Sequence, residues 1–180
     1  MEYVRIPMNR VAVLIGKGGE VRKEIEERLK VKLNIDAEEG VVTVENQGDD
    51  VLAEWKARDI IRAVGRGINP SKAMRLCSDD YALNIIELED FVGRSEKALL
   101  RQKGRIIGRQ GKTRKHIEDM TKASISVFGK GVVIVGTLDE VQIAREAVVM
   151  LASGMPHSVV YKFLQRKAQE LKEKRLSLWR

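Results

Sequence analysis

Apolar and polar positions change period in a fixed order along the first third of the chain. Residues Glu2–Pro7 alternate, with Val4 and Ile6 set against Tyr3 and Arg5, the period of a strand with one inward face. Arg10–Ile15 is a short apolar run that ends in glycines. Glu20–Lys30 then places Val21, Ile25 and Leu29 at steps of four on an otherwise charged stretch, an amphipathic helix. Alternation returns over Lys32–Asp36, with Leu33 and Ile35 inward. Glu38-Glu39-Gly40 reads as a turn and Val41–Glu45 as the next strand. Asp49 or Asp50 is placed to cap a helix running to about Gly65. The predicted order is β-α-α-β-β-α.

The same order begins again near Tyr81. Tyr81–Glu87 reads as a strand, Glu96–Arg105 as a helix, and Lys112–Thr121 as a second helix with Ile117, Met120 and Thr121 on one side. Ser124–Phe128 and Val132–Val135 form a hairpin through Gly129-Lys130-Gly131, and Leu138–Leu151 is the last helix of the unit. The two stretches are copies. Ile15, Gly16, Gly19, Arg22, Lys23, Ile25 and Glu26 each recur 92 residues later, at Ile107, Gly108, Gly111, Arg114, Lys115, Ile117 and Glu118. Gly40-Val-Val-Thr-Val44 answers to Gly131-Val-Val-Ile-Val135. A match that keeps its order through a whole unit marks an internal repeat.

Charge sharpens the picture. The 180 residues carry 33 Lys and Arg against 26 Asp and Glu, a net +7. Between Arg94 and Lys115 there are nine basic residues (Arg94, Lys97, Arg101, Lys103, Arg105, Arg109, Lys112, Arg114, Lys115) and one acid, Glu96. That window holds a net +8, so the excess surrounds the second glycine pair and nucleic acid is the indicated partner. Aromatic residues make up only 4%, which argues against an RNA-recognition motif that stacks bases on paired rings. One cysteine, Cys77, forbids an internal disulfide framework and fits a reducing, cytosolic setting. With two histidines, His116 and His157, it supplies no zinc finger. No apolar run approaches the ~20 residues of a membrane helix, and the N-terminal segment lacks a signal-peptide core.

A Gly-x-x-Gly turn between two helices has a physical purpose. Glycine takes left-handed dihedrals and lets another backbone approach closely. The amides that begin the following helix have no intrahelical partner, and the helix dipole adds positive charge there. The product is an anion site suited to phosphate, with Lys17, Arg109, Gln110 and Lys112 as side-chain donors. Ile-Gly-x-x-Gly between helices, followed by β, β and α, resembles the type I K-homology (KH) domain over about residues 2–67 and 80–154. The resemblance implies an α+β fold of two tandem type I KH domains, each a three-stranded antiparallel sheet with helices on one face. It also implies that each loop clamps the backbone of a single-stranded nucleic acid beside an apolar groove. The implied RNA-binding residues are Gly16, Lys17, Gly18, Gly19 and Arg22 in the first copy. In the second they are Gly108, Arg109, Gln110, Gly111, Lys112 and Arg114.

Both copies depart from the family at one position. KH domains carry isoleucine or valine three residues after the second glycine, where this chain has Arg22 and Arg114. Two readings stand level. In one, the guanidinium faces the groove and stacks on a base or holds a phosphate. In the other, the helix is slightly rotated, the arginines are solvated, and Val21 takes the apolar role.

Two near-matches carry no chemistry. Gly108–Thr113 ends like a Walker loop, but Ile106 stands where that motif needs glycine. His116 has no acid or thiol at triad spacing and reads as an RNA-facing or surface histidine. Cys77 reads as an inert thiol. No catalytic, metal or cofactor set is expected.

The boundaries read as a first KH domain over 1–67, a linker with a short helix over 68–79, a second KH domain over 80–154 and a C-terminal amphipathic helix over 155–180. Asn69-Pro70-Ser71 caps the linker helix. Val159, Val160, Phe163, Leu164 and Leu171 form the apolar stripe of the last helix, whose basic end carries a net +5 from Tyr161 onward. Residues 177–180 are expected to fray.

The second loop and the tail Gly154-Met-Pro-His-Ser-Val-Val-Tyr-Lys-Phe-Leu164 resemble the partner of Nob-one family of ribosome-assembly factors. The intact first loop suits its archaeal branch, since eukaryotic members have a degenerate one. The resemblance implies cytoplasmic binding near the 3′ end of small-subunit ribosomal RNA precursor, beside the endonuclease that trims that end. A link to the alpha subunit of translation initiation factor two is also implied. Two other readings stay open: a regulatory KH protein of messages or single-stranded DNA, and a protein-interaction scaffold.

Overall fold

The computed structural model describes residues 1–179, which divide into two compact units, residues 1–83 and the described residues from 84 onward. The first unit runs β1 (Glu2–Arg5), α1 (Met8–Ile15), α2 (Glu20–Leu29), β2 (Val31–Asp36), β3 (Val41–Asn46), α3 (Ala53–Gly65) and α4 (Pro70–Ala73). Its sheet is antiparallel in the order β1-β3-β2. Leu33 pairs with Val44 and Ile35 with Val42, so the alternating residues of β2 and β3 share one face. There they meet Leu14, Ile25, Ile60, Ile61 and Val64, all without solvent exposure. Each buried aliphatic side chain of that size contributes about 1.5–3 kcal/mol, so this face sets the register.

The second unit repeats the pattern: β4 (Tyr81–Glu87), α5 (Glu89–Val92), α6 (Glu96–Ile107), α7 (Lys112–Thr121), β5 (Ser124–Phe128), β6 (Gly131–Thr137), α8 (Leu138–Ala152) and α9 (His157–Leu178). Its sheet order is β4-β6-β5. Ile106, Ile117, Ile134, Val148 and Leu151 form the core, joined by Val160 and Leu164 of α9. The stripe on α9 is therefore half used: Val160 and Leu164 are buried, while Val159 remains 43% exposed. Its basic end is tied to α8, with Lys174 3.5 Å from Asp139 and Arg175 3.8 Å from the buried Glu140.

Several boundaries differ from the pattern. α1 starts at Met8, two residues before the apolar run, because Pro7 fixes the entry. Asp50 does not cap α3. Its carboxylate accepts from the Leu52 amide at 2.9 Å and closes a turn ahead of the helix, which begins at Ala53. The short α5 has no periodic signature and ends where Gly93 takes φ 76. α8 opens with a capping box, Thr137 with Glu140, a Thr-x-x-Glu signal passed over in the sequence. Helix α9 continues through Leu178, into the residues expected to fray. The linker cap holds, since Asn69 accepts from Ser71 N at 2.9 Å. Lys56 of α3 also bonds Asp79 at 2.8 Å, which fastens the end of the linker to the first unit.

Candidate nucleic-acid interface

Both glycine loops have one backbone shape. Gly16 (φ 78, ψ 172) and Gly108 (φ 76, ψ 173) end the first helix, and a single 3₁₀ turn carries the chain to the second. Within that turn Gly18 has φ 63 and Gln110 φ 55, and Gly19 and Gly111 lie at φ 77 and 75. The amide of Gly19 donates to the Gly16 carbonyl at 3.1 Å, and that of Gly111 to Gly108 at 3.2 Å.

The first glycine is required twice over. A Cβ on Gly16 would lie 2.6 Å from Val21 Cγ2 and 2.9 Å from its amide nitrogen. On Gly108 it would lie 2.2 Å from Thr113 Oγ1 and 2.7 Å from its amide nitrogen. Val21 and Thr113, equivalent positions, thus hold the loop from below. Nothing lies within 4 Å of a Cβ built on Gly18 or Gly19. The loop backbone is bare on its outer side, and Lys17, Gly18, Arg109 and Gln110 are exposed.

The helices that follow start uncapped. Neither α2 nor α7 receives a side-chain hydrogen bond at its N-terminus. The amide that opens each helix donates back into the loop, Glu20 to the Lys17 carbonyl and Lys112 to the Arg109 carbonyl, and the positive end of the helix dipole lies behind the loop. The two loops differ in charge. The first turn of α2 carries Glu20, whereas that of α7 has no acid and begins with Lys112. Among the described residues, Lys97, Arg101, Lys103, Arg109, Lys112 and Lys115 have no carboxylate within salt-bridge distance. Around the second loop the +8 window is therefore uncompensated among the described residues except at Arg114, which meets Glu118. Arg105 donates to the carbonyls of Leu151 (2.7 Å) and Met155.

Arg22 and Arg114 are partly exposed and bridge the loop helix to a strand, and Arg22 lines a groove with Asn34, Ile35 and Glu38. Arg22 Nη2 donates to the Leu33 carbonyl at 2.7 Å and Nε to Glu26 at 3.4 Å, while Glu26 accepts the Leu33 amide at 2.9 Å. In the second unit, Arg114 bonds Glu118 and donates to the Ile125 carbonyl at 3.4 Å, and Glu118 accepts the Ile125 amide at 3.2 Å. β2 and β5 are edge strands, whose outer N–H and C=O groups lack a strand partner. One Arg–Glu pair on the loop helix satisfies both groups of a single residue in each unit. The recurrence of Arg22 and Glu26 at 92 residues was visible in the sequence, but the strand edge that they hold was not.

His116 is half-buried. Its ring packs 4.5 Å from that of Tyr161 on α9, and Nε2 is buried without a hydrogen-bond partner. The Tyr161 hydroxyl lies 3.3 Å from Thr113 Oγ1, so α9 reaches the residue beneath Gly108. Cys77 is half-buried, and burial pushes its thiol above the usual range. Gly104 is a functional candidate missed in the sequence. It lies inside α6, is exposed, and no atom lies within 4 Å of a Cβ built there. A helix-interior glycine costs about 1 kcal/mol against alanine, and no internal packing requires this one.

A profile for the eukaryotic-type KH domain (type I) matches residues 82–169, and a KH-domain profile matches residues 1–63. A KH domain-containing protein of Methanocaldococcus jannaschii is 50% identical over all of this chain and 79% of its own length. The pre-rRNA-processing protein PNO1 of Candida albicans is 30% identical over 95% of this chain, which spans 63% of that longer protein. Among solved structures, the a/eIF2alpha–aDim2p–rRNA complex from Pyrococcus horikoshii contains a chain that is 48% identical. It aligns over 94% of both chains with a TM-score of 0.87.

Proposed function

The chain belongs to the PNO1/Dim2 family of two-KH-domain ribosome-assembly factors, and from that premise we propose that it binds single-stranded ribosomal RNA precursor and assists its processing without chemistry of its own. The observation that carries this reading is the second loop. Three of its four residues, Gly108, Gln110 and Gly111, take positive φ ahead of a helix with no side-chain cap, and Arg109, Lys112 and Lys115 meet no carboxylate among the described residues. Phosphates are the ligand that such a site accepts. The complex of the Pyrococcus relative with rRNA supports the same class of ligand.

The finer reading is that this protein acts in the cytoplasm near the 3′ end of the small-subunit precursor. Both loops, Gly16–Gly19 with Arg22 and Gly108–Lys112 with Arg114, hold the backbone while bases lie along the groove. The alpha subunit of translation initiation factor two is a proposed partner, supported by the composition of that complex. The endonuclease that trims the 3′ end is a second.

Crosslinking in cells followed by sequencing tests the proposal. Crosslinks clustered at the 3′ end of the small-subunit precursor are expected. Crosslinks scattered over messages, with none on ribosomal precursor, would overturn it.

A further inference from the structure

The two units differ most in the helix that leads into the loop. α1 spans 8 residues and begins at Met8, whereas α6 spans 12 and begins at Glu96. Under the 92-residue offset of the repeat, Met8 corresponds to Leu100. α6 therefore starts one full turn earlier, with Ser95 as its cap accepting from Ala98 N at 3.4 Å.

The extension adds Lys97 to one exposed face of the helix. At about 100° per residue, Lys97, Leu100, Arg101 and Gly104 fall within one sector of about 100°, opposite the buried Leu99 and Ile106. The same sector leads into Gly108. Lys97 and Arg101 are exposed and have no acidic partner among the described residues, and Leu100 between them is 67% exposed. Arg94, also exposed and unpaired, precedes the cap. From Lys97 to Gly108 the helix covers about 16 Å. The first unit matches the leucine but not the cations: Met8, 61% exposed, answers to Leu100, Asn9 stands where Arg101 is, and the position of Lys97 falls ahead of α1, before the Pro7 entry.

We propose that the N-terminal half of α6, its added turn and the turn that follows, is a second RNA-contact track, in which Lys97 and Arg101 hold phosphates and Leu100 supports a base of the nucleotides that run on beyond the second glycine loop. This rests on the RNA-binding reading above and assigns to the second unit a longer footprint than the first. Charge selects the occupant: a row of unpaired cations continuous with a phosphate loop fits a polyanion, and the isolated exposed leucine gives a base face an apolar seat.

The test uses the full chain carrying Lys17→Asp and Gly18→Asp, so that only the second loop contributes. Fluorescein-labelled RNA pools of random sequence, four or eight nucleotides long, are titrated by anisotropy with and without Lys97→Glu and Arg101→Glu. Eight nucleotides are expected to bind about tenfold more tightly than four in the parent. The charge-reversed variant should keep the four-nucleotide affinity and lose that gain, with its salt slope on the longer RNA lower by about 1.4. A variant that retains the gain, one that loses both lengths equally, or a parent with no gain overturns the track. A parent that binds neither length overturns the RNA reading itself. Unchanged melting temperature shows that the exposed substitutions leave the fold intact.

Discussion

Arg22 and Leu33 are joined by a 2.7 Å hydrogen bond from guanidinium to strand carbonyl, and Arg114 and Ile125 repeat it in the second unit. The glutamate one turn further along each helix takes the amide of the same strand residue. The pair thus holds the loop helix to the open edge of the sheet. Removing the glutamate strands a partly buried N–H and an arginine together. Glu26→Ala is expected to lower unfolding free energy by about 1–3 kcal/mol in a urea titration, and Glu118→Ala by a similar amount. A change within about 0.3 kcal/mol would mean that the edge is held by water just as well.

Gln110 is held at φ 55 where the first loop has glycine. A non-glycine residue there costs about 1 kcal/mol or more, which a site retains when the side chain is used. Gln110→Gly should therefore stabilise the chain by about 1 kcal/mol and weaken RNA binding. A variant that is more stable and binds RNA unchanged removes Gln110 from the contact set.

The open space over Gly104 sets a similar opposition. Gly104→Ala should raise stability by about 1 kcal/mol through helix propensity alone. Its Cβ meets no atom of the protein, so any loss of affinity comes from the ligand. Paired thermal melts and RNA titrations separate the two effects. Loss of stability would show that the position is packed, contrary to the geometry.

Cys77 offers a test independent of RNA. Its half-buried thiol is pushed up by burial, so less thiolate is present at pH 8 than in a free cysteine. Alkylation by iodoacetamide should be slower in the folded chain than in urea. Equal rates would place the thiol in solvent.

The sequence reading reached the strands, the loops and the repeat because those features follow local rules: period two, period four and paired glycines. It failed where the partner is distant. Nothing around Arg22 indicates the edge of β2 eleven residues on, since orientation of a strand edge depends on the sheet. Tyr161 stood out for no role of its own in the C-terminal helix, yet its hydroxyl lies 3.3 Å from Thr113 Oγ1 beneath the second loop. His116, read as RNA-facing or surface, is half-buried with its ring against that of Tyr161. Helix α5 was missed because four residues carry no period. The added turn of α6 was within the predicted helix, but its meaning appears only against the shorter α1.

The central claim is that the second glycine loop holds RNA phosphate more strongly than the first. An anisotropy titration of single-stranded RNA against wild type, Arg109→Asp/Gln110→Asp and Lys17→Asp/Gly18→Asp, repeated over a range of salt, measures it directly. The expected result is a larger loss at the second loop, and a wild-type affinity that falls with salt at a log–log slope of about −0.7 per phosphate contacted. Equal losses at the two loops, or an affinity independent of salt, would contradict the account.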